Sequence, residues 1–140
     1  MARVTPPDLE QWLCDYLRAV LAGEGTPVEV SNKEPGDLTA PLDSPLIVVR
    51  DDSGPRISAV TFDRMVGVSV LWGSREDDQP TADLARRILA ILSDDAIATL
   101  DGSPIAAVDW DGCNGPYAVP DDQPVARQYL AVHYIVVGIW

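Results

Sequence analysis

Leu9, Trp12, Leu13, Tyr16, Leu17, Val20 and Leu21 recur at spacings of three and four residues, which lays one apolar stripe along a helix. The stripe predicts a helix with Thr5 as N-cap, Pro6 at the first helical position, Asp8 completing a variant of the capping box, and Gly23 at the end. Ordering such a helix costs about as much as burying its stripe returns, so it must share a core with another element.

Alternation supplies that element. Val66, Val68, Val70 and Trp72 interleave with Met65, Gly67, Ser69 and Leu71, the period of a strand with one buried face, and Gly67 is expected to mark a bulge. Val28 and Val30 predict a short first strand. Residues 46–50 predict a second, closed by the turn chemistry of residues 51–55 (DDSGP). Residues 56–63 read either as the start of the alternating strand or as a separate piece. A second helix is expected from Gln79 and Pro80 to near Ser93, with Asp83 in its first turn and Leu84, Ile88, Ile91 and Leu92 on one face. Asp94 and Asp95 oppose the dipole at that end and predict a break, followed by a short helical turn over residues 96–100. Residues 105–110 read as a further strand. Residues 126–137, rich in β-branched and aromatic side chains, read as the last and longest. The twelve prolines agree, leaving residues 8–26, 56–79, 81–103 and 125–140 free of interruption. The fold expected is α+β, a mostly antiparallel sheet of four to five strands with two main helices on one face, in one domain spanning residues 1–140.

Charge narrows the partners. The chain of 140 residues carries 22 acids against 10 lysines and arginines, a net charge of -12, while 46% of its residues are hydrophobic, so the charge belongs to a folded surface. The acids are spread along the whole chain, and such a surface repels a phosphate backbone. The apolar runs fall short of the ~18 residues of a spanning helix, and the first thirty residues lack the basic start and apolar stretch of a signal peptide. No membrane partner is expected, and a cytosolic site of synthesis is. Cys14 and Cys113, without a metal or redox spacing, read as free thiols.

Candidate chemistry is sparse. The single histidine, His133, falls inside a predicted strand with no nucleophile elbow to serve, and reads as a satisfied strand residue; a pair with Cys113 has nothing in the spacing to place it. The four Asp-Asp pairs, at 51/52, 77/78, 94/95 and 121/122, sit at turns and helix ends, where local hydrogen bonding explains them. Residues 109–112 (DWDG) echo a calcium loop only faintly, and the glycines at 112 and 115 precede no helix that would cradle a phosphate. No catalytic residue, cofactor or metal is expected. Two loops, residues 31–45 and 111–124, exceed the length at which structureless connections become uncommon, about 12 residues. Trp110, Tyr117 and Trp140 stand where exposure is expected, and interfaces favour aromatic side chains.

The order of an amphipathic helix, a strand with a charged end at residues 45–54 (PLIVVRDDSG), an alternating strand into an acid-rich turn and helix at residues 66–78 (VGVSVLWGSREDD) and 82–89 (ADLARRIL), and a late loop at residues 115–122 (GPYAVPDD) resembles the tail terminator proteins of long non-contractile-tailed bacteriophages. The resemblance covers most of the chain and rests on element order rather than on invariant residues. It implies a homohexameric ring at the head-proximal end of the virion tail, assembled in the host cytoplasm. That ring would cap the major tail tube protein, end its polymerisation and dock the head-completion (stopper) protein, with DNA passing through the lumen without specific binding. Related connectors, stopper or adaptor, are similar in size, and a small non-viral binding domain and a small hydrolase are the readings from other classes. Length and composition assign the contacts to Lys33, Glu34 and Asp37 in the first loop, Arg75, Asp77 and Asp78 in the acid-rich turn, and Trp110, Tyr117, Asp121, Asp122 and Trp140 toward the C-terminus.

Overall fold

The structure, a computed structural model, describes residues 3–120 and 124–140. Its elements run α1 (Leu9–Gly23), β1 (Glu29–Ser31), β2 (Leu42–Asp51), β3 (Thr61–Gly73), α2 (Gln79–Ser93), a 3-10 turn (Asp95–Thr99), β4 (Ile105–Val108), a second 3-10 turn (Trp110–Gly112), β5 (Asn114–Ala118) and β6 (Ala126–Val137). The strands form one sheet in the order β1-β2-β3-β6-β4, with β5 also on β6. Only β1 and β2 are parallel; every other pair is antiparallel. The fold is α+β with both helices packed against the sheet, and the sheet has six strands because β5 lies inside the second expected loop.

Alternation along the two longest strands sorts the faces. Val66, Val68 and Val70 on β3 pair with Val132, Leu130 and Gln128 on β6, and together with Ile47, Val49, Tyr134 and Val136 they turn toward the helices. Leu9, Leu13, Leu17 and Leu21 of α1 and Leu84, Ile88 and Leu92 of α2 complete that core, with Trp12 and Trp72 half-buried at its margin.

Three local expectations are corrected. The N-cap of α1 is Asp8, whose side chain accepts from the Gln11 N–H at 3.2 Å, while Thr5 forms a bridge with Ile139 instead. Two consecutive prolines donate no hydrogen bond and favour extended backbone before them, which delays the helix past Pro7. Asp83 lies beyond the first turn of α2, where it bonds to Gln79 and Arg86. Gly67 marks no bulge, since β3 and β6 stay in register from Thr61↔Val137 to Trp72↔Ala126. Its bare Cα makes room for Tyr129, whose hydroxyl would collide with any side chain there.

The second sheet face carries a different layer. Parallel neighbours need a crossover, and residues 32–41, with no helix, run from β1 to β2 across the face away from the helices. Leu38, Ala40 and Leu42 pack there on Leu46, Leu71 and Val125, a small satellite core. Glu34 closes this strap with a bidentate pair to Arg127 on β6, at 2.8 and 2.6 Å.

Candidate functional site

Two of the exposed aromatics, Trp110 and Tyr117, are held by specific contacts. Trp110 is 63% exposed, yet its Nε1–H donates to the Ser93 carbonyl at 2.9 Å, which fixes the indole at the C-terminus of α2. Tyr117 on β5 is 52% exposed and packs edge-to-face on Tyr129, ring centroids 5.8 Å apart. Burial, and after it the Asp52 carboxylate, pushes the Tyr129 phenol up from its ordinary value. Ile139 and Trp140 are exposed beyond the end of β6. Tyr117 is registered with Tyr129 near the start of that strand, so the two apolar patches stand at opposite ends of it, about 30 Å apart at the rise of an extended chain.

Lys33, Glu34, Asp37, Arg75, Asp77 and Asp78 are all exposed. They form two separate sets, one on the strap and one in the turn before α2, and Glu34 is engaged within the chain by Arg127. Asp121 and Asp122 lie outside the described residues. Among the described residues, Arg18 is tied to Asp15, Arg50 to Asp52, Arg64 to Asp51, Arg86 to Asp83, Arg87 to Glu24 and Arg127 to Glu34. The four of these with exposed arginines, Arg18, Arg50, Arg86 and Arg87, add little stability, but all of the pairs cancel base charge locally and leave the surface excess acidic. Among the described residues no group of three or more His, Cys, Asp and Glu side chains is arranged to hold a metal ion, and no helix is long and apolar enough to cross a membrane.

His133 sits between two carboxylates. Its Nε2 lies 2.5 Å from Asp63 Oδ1 on β3, and its Nδ1 3.3 Å from Asp109 Oδ2 just before the second 3-10 turn. The Cys113 thiol turns away to the Asp109 carbonyl at 3.5 Å, so the structure does not bring Cys113 and His133 together as nucleophile and base. Sequence reasoning missed both aspartates. The one available signal was Asp63 standing two positions before Met65, the residue opposite His133 in the ladder, and only the β3/β6 register turns that into a contact.

Of the several hollows on the surface, two adjoin these elements. A largely apolar groove of about 520 Å³ runs between the start of α1 and the end of β6, lined by Pro7, Trp12, Pro104, Val137 and Ile139 with Asp8 and Asp15 at its rim. A polar cavity of about 220 Å³ lies beneath the strap, lined by Arg50, Ser69, Arg127 and Tyr129 among others. A scan against protein-family models finds no match for the chain, and a search of the curated proteins finds none either.

Proposed function

We propose that this chain is a structural virion protein of the tail terminator type: a ring-forming subunit that caps a growing tail tube, ends its polymerisation and presents a docking surface for the head. The observation that carries the reading is the placement of exposed apolar side chains at separate places on one small domain: Tyr117, packed on Tyr129 near the start of β6, Trp110, bonded to the end of α2, and Ile139 and Trp140 beyond the end of β6. A closed ring needs heterologous contacts, in which one patch meets a different patch on the next subunit, and two patches at opposite ends of a long strand meet that requirement. Exposed aromatics are the side chains that anchor such contacts. The element order that carries the resemblance is present in the fold, helix α1 before β2, β3 into α2, and the late segment before β6.

The acidic surface fits the passage of DNA. With at least six arginines engaged by acids of the same chain, a lumen built from this surface repels the polyanion and lets it slide. The test is tail-tube polymerisation in the presence of the purified protein. Tubes that stop growing and carry a ring at one end in electron micrographs support the proposal, and loss of capping in Trp110→Ala/Tyr117→Ala, with circular dichroism unchanged, ties it to these two side chains. Tubes of unaltered length with no bound protein overturn it.

The apolar groove beside Trp12 favours a second reading, a small binding domain. An apolar ligand that raises the melting temperature, together with a chain that stays monomeric beside tube ends, selects that reading over the first.

A further inference from the structure

The groove between α1 and the end of β6 has a fixed aromatic wall. Trp12 stacks on Tyr16, ring centroids 5.2 Å apart, and Pro7, Pro104, Val137 and Ile139 supply more of the apolar lining. Its volume of about 520 Å³ falls among those of sites that hold a whole small molecule, about 300–1,000 Å³, so a phenol ring fits. Asp8 and Asp15 stand at its rim. In each, Oδ1 takes the bonds made within the chain: Asp8 from the Gln11 N–H at 3.2 Å, Asp15 from the Gln11 side-chain amide at 3.0 Å and Arg18 at 2.9 Å. Among the described residues no donor reaches either Oδ2. An aromatic side chain with a hydroxyl at its tip therefore finds an apolar slot with an acceptor at the mouth. We propose that the groove is the receptor for Tyr117 of a neighbouring copy of this chain, which rests on the ring-forming reading above and names the contact that would build it.

Charge and hydrogen bonding select Tyr117 among the exposed aromatics. Trp110 has its Nε1–H engaged by the Ser93 carbonyl and stands between Asp109 and Asp111, which an acidic rim repels. Trp140 follows Ile139, a lining residue, and so belongs to the receptor side. Tyr117 is exposed, its ring is held edge-to-face on Tyr129, and its hydroxyl bonds to no other described residue. Residues 112–120 (GCNGPYAVP) around it carry no charged side chain, although the whole chain has a net charge of -12. The neutral stretch meets the acidic rim without the repulsion that most of this surface would bring. Tyr117 pairs with the start of β6 while the groove adjoins its end, so no chain fills its own groove and the contact joins two copies.

Photocrosslinking of the full chain tests the contact. The photoreactive p-benzoylphenylalanine in place of Tyr117 is irradiated at about 1 M salt, where acid repulsion is screened, and again beside tail-tube ends. It should join heavy-isotope to light-isotope chains at residues 7–15, 102–104 or 137–139. Oligomers cross-linked elsewhere overturn the groove contact and leave the ring standing. Dimers cross-linked at those residues support the contact and remove the ring. Chains that stay monomeric under both conditions, wild type included, overturn both. A charge-rescue series, read at the lowest salt at which the wild type assembles, covers the case in which the bulkier benzoyl group blocks the groove. Ala118→Asp sets a carboxylate beside Tyr117 and should raise the half-assembly concentration on the order of tenfold. Asp15→Asn in that background should restore it, whereas Glu29→Gln, which removes an equal charge from β1 on the far edge of the sheet, should not. No effect of Ala118→Asp, or equal rescue by the two, overturns the proposal.

Discussion

Tyr134 shows what a single side chain contributes to both layers of the fold. It is fully buried among the helix-facing residues of the sheet, and its hydroxyl donates to the Leu92 carbonyl at 2.6 Å near the end of α2. Burial is the first cause that holds its phenol well above the ordinary value, with Cys113 and Tyr16 adding to it. A raised value in the folded state means that its contribution to stability is fully present below the unfolded phenol's pKa, near 10, and is lost as pH rises through the folded one. Urea melts at pH 7 and above pH 10 should therefore show a steep alkaline loss. Tyr134→Phe should cost about 1 kcal/mol at pH 7, through the orphaned Leu92 carbonyl, and flatten part of the alkaline limb. An alkaline limb equally steep in this variant would assign the loss to other groups. The two thiols separate in the same way. Burial pushes the Cys14 thiol up, and the chain around it is closed, whereas Cys113 is half-buried. A disulfide exchange reagent added to the native protein should label Cys113 first and Cys14 only on unfolding, and Cys113→Ser should remove the fast phase. Contacts of this kind are the part least legible in a sequence. His133 and Asp63 are 70 positions apart, and no spacing rule joins them until the register of two strands is known.

The elements themselves were largely legible, and the exceptions have physical reasons. Residues 126–137 and the bounds of α2 follow directly from β-branched density and from an apolar stripe that stops before two aspartates. The early start assigned to α1 gave too much weight to Pro6 as a helix-initiating residue, when Pro7 follows it and Asp8 makes the cap. β5 escaped because Gly115 and Pro116 argue against a strand; it pairs with β6 alone, and a strand with one partner tolerates proline. The strap at residues 32–41 was legible as a long loop, but not as a cover for the second sheet face, because its apolar residues Leu38 and Ala40, with Leu42 following at the start of β2, are too few to show a period. That cover has a measurable consequence. Leu42→Ala and Leu38→Ala should each lower stability by ~1–2 kcal/mol, less than a fully buried leucine costs, since both are half-buried. Limited proteolysis should then cut within residues 32–41 while far-ultraviolet circular dichroism stays native. Global unfolding in either variant would show instead that the satellite core and the main core form one cooperative unit.

At the scale of the whole molecule, charge and shape make opposing demands. The apolar patches at the two ends of β6 favour association, while each chain brings a net charge of -12. Six copies would gather -72, six times that value, into one particle. Repulsion between exposed charges is screened over about 10 Å at 0.1 M salt and over about 3 Å at 1 M, whereas the apolar contact does not weaken as salt is added. The proposed ring is therefore expected to be a minor species in dilute, low-salt buffer, where monomers of 15.1 kDa dominate. Raising the salt, or adding divalent cations, should shift the population toward six chains, about 90 kDa at 15.1 kDa each. A tail-tube end that supplies a template should do the same at low salt. Trp140→Ala and Tyr117→Ala, each at one end of β6, should block the shift separately, and mixing the two variants should give at most short open oligomers, since a closed ring uses both patches on every subunit. The isolated protein should show no mobility shift with duplex DNA even at low salt, because the like-charged surface repels it. Mass photometry across the salt series, with and without tube protein, reads the assembly. A stable dimer indifferent to salt, to tube ends and to both substitutions would remove the ring and leave the groove beside Trp12 as the functional feature of the fold.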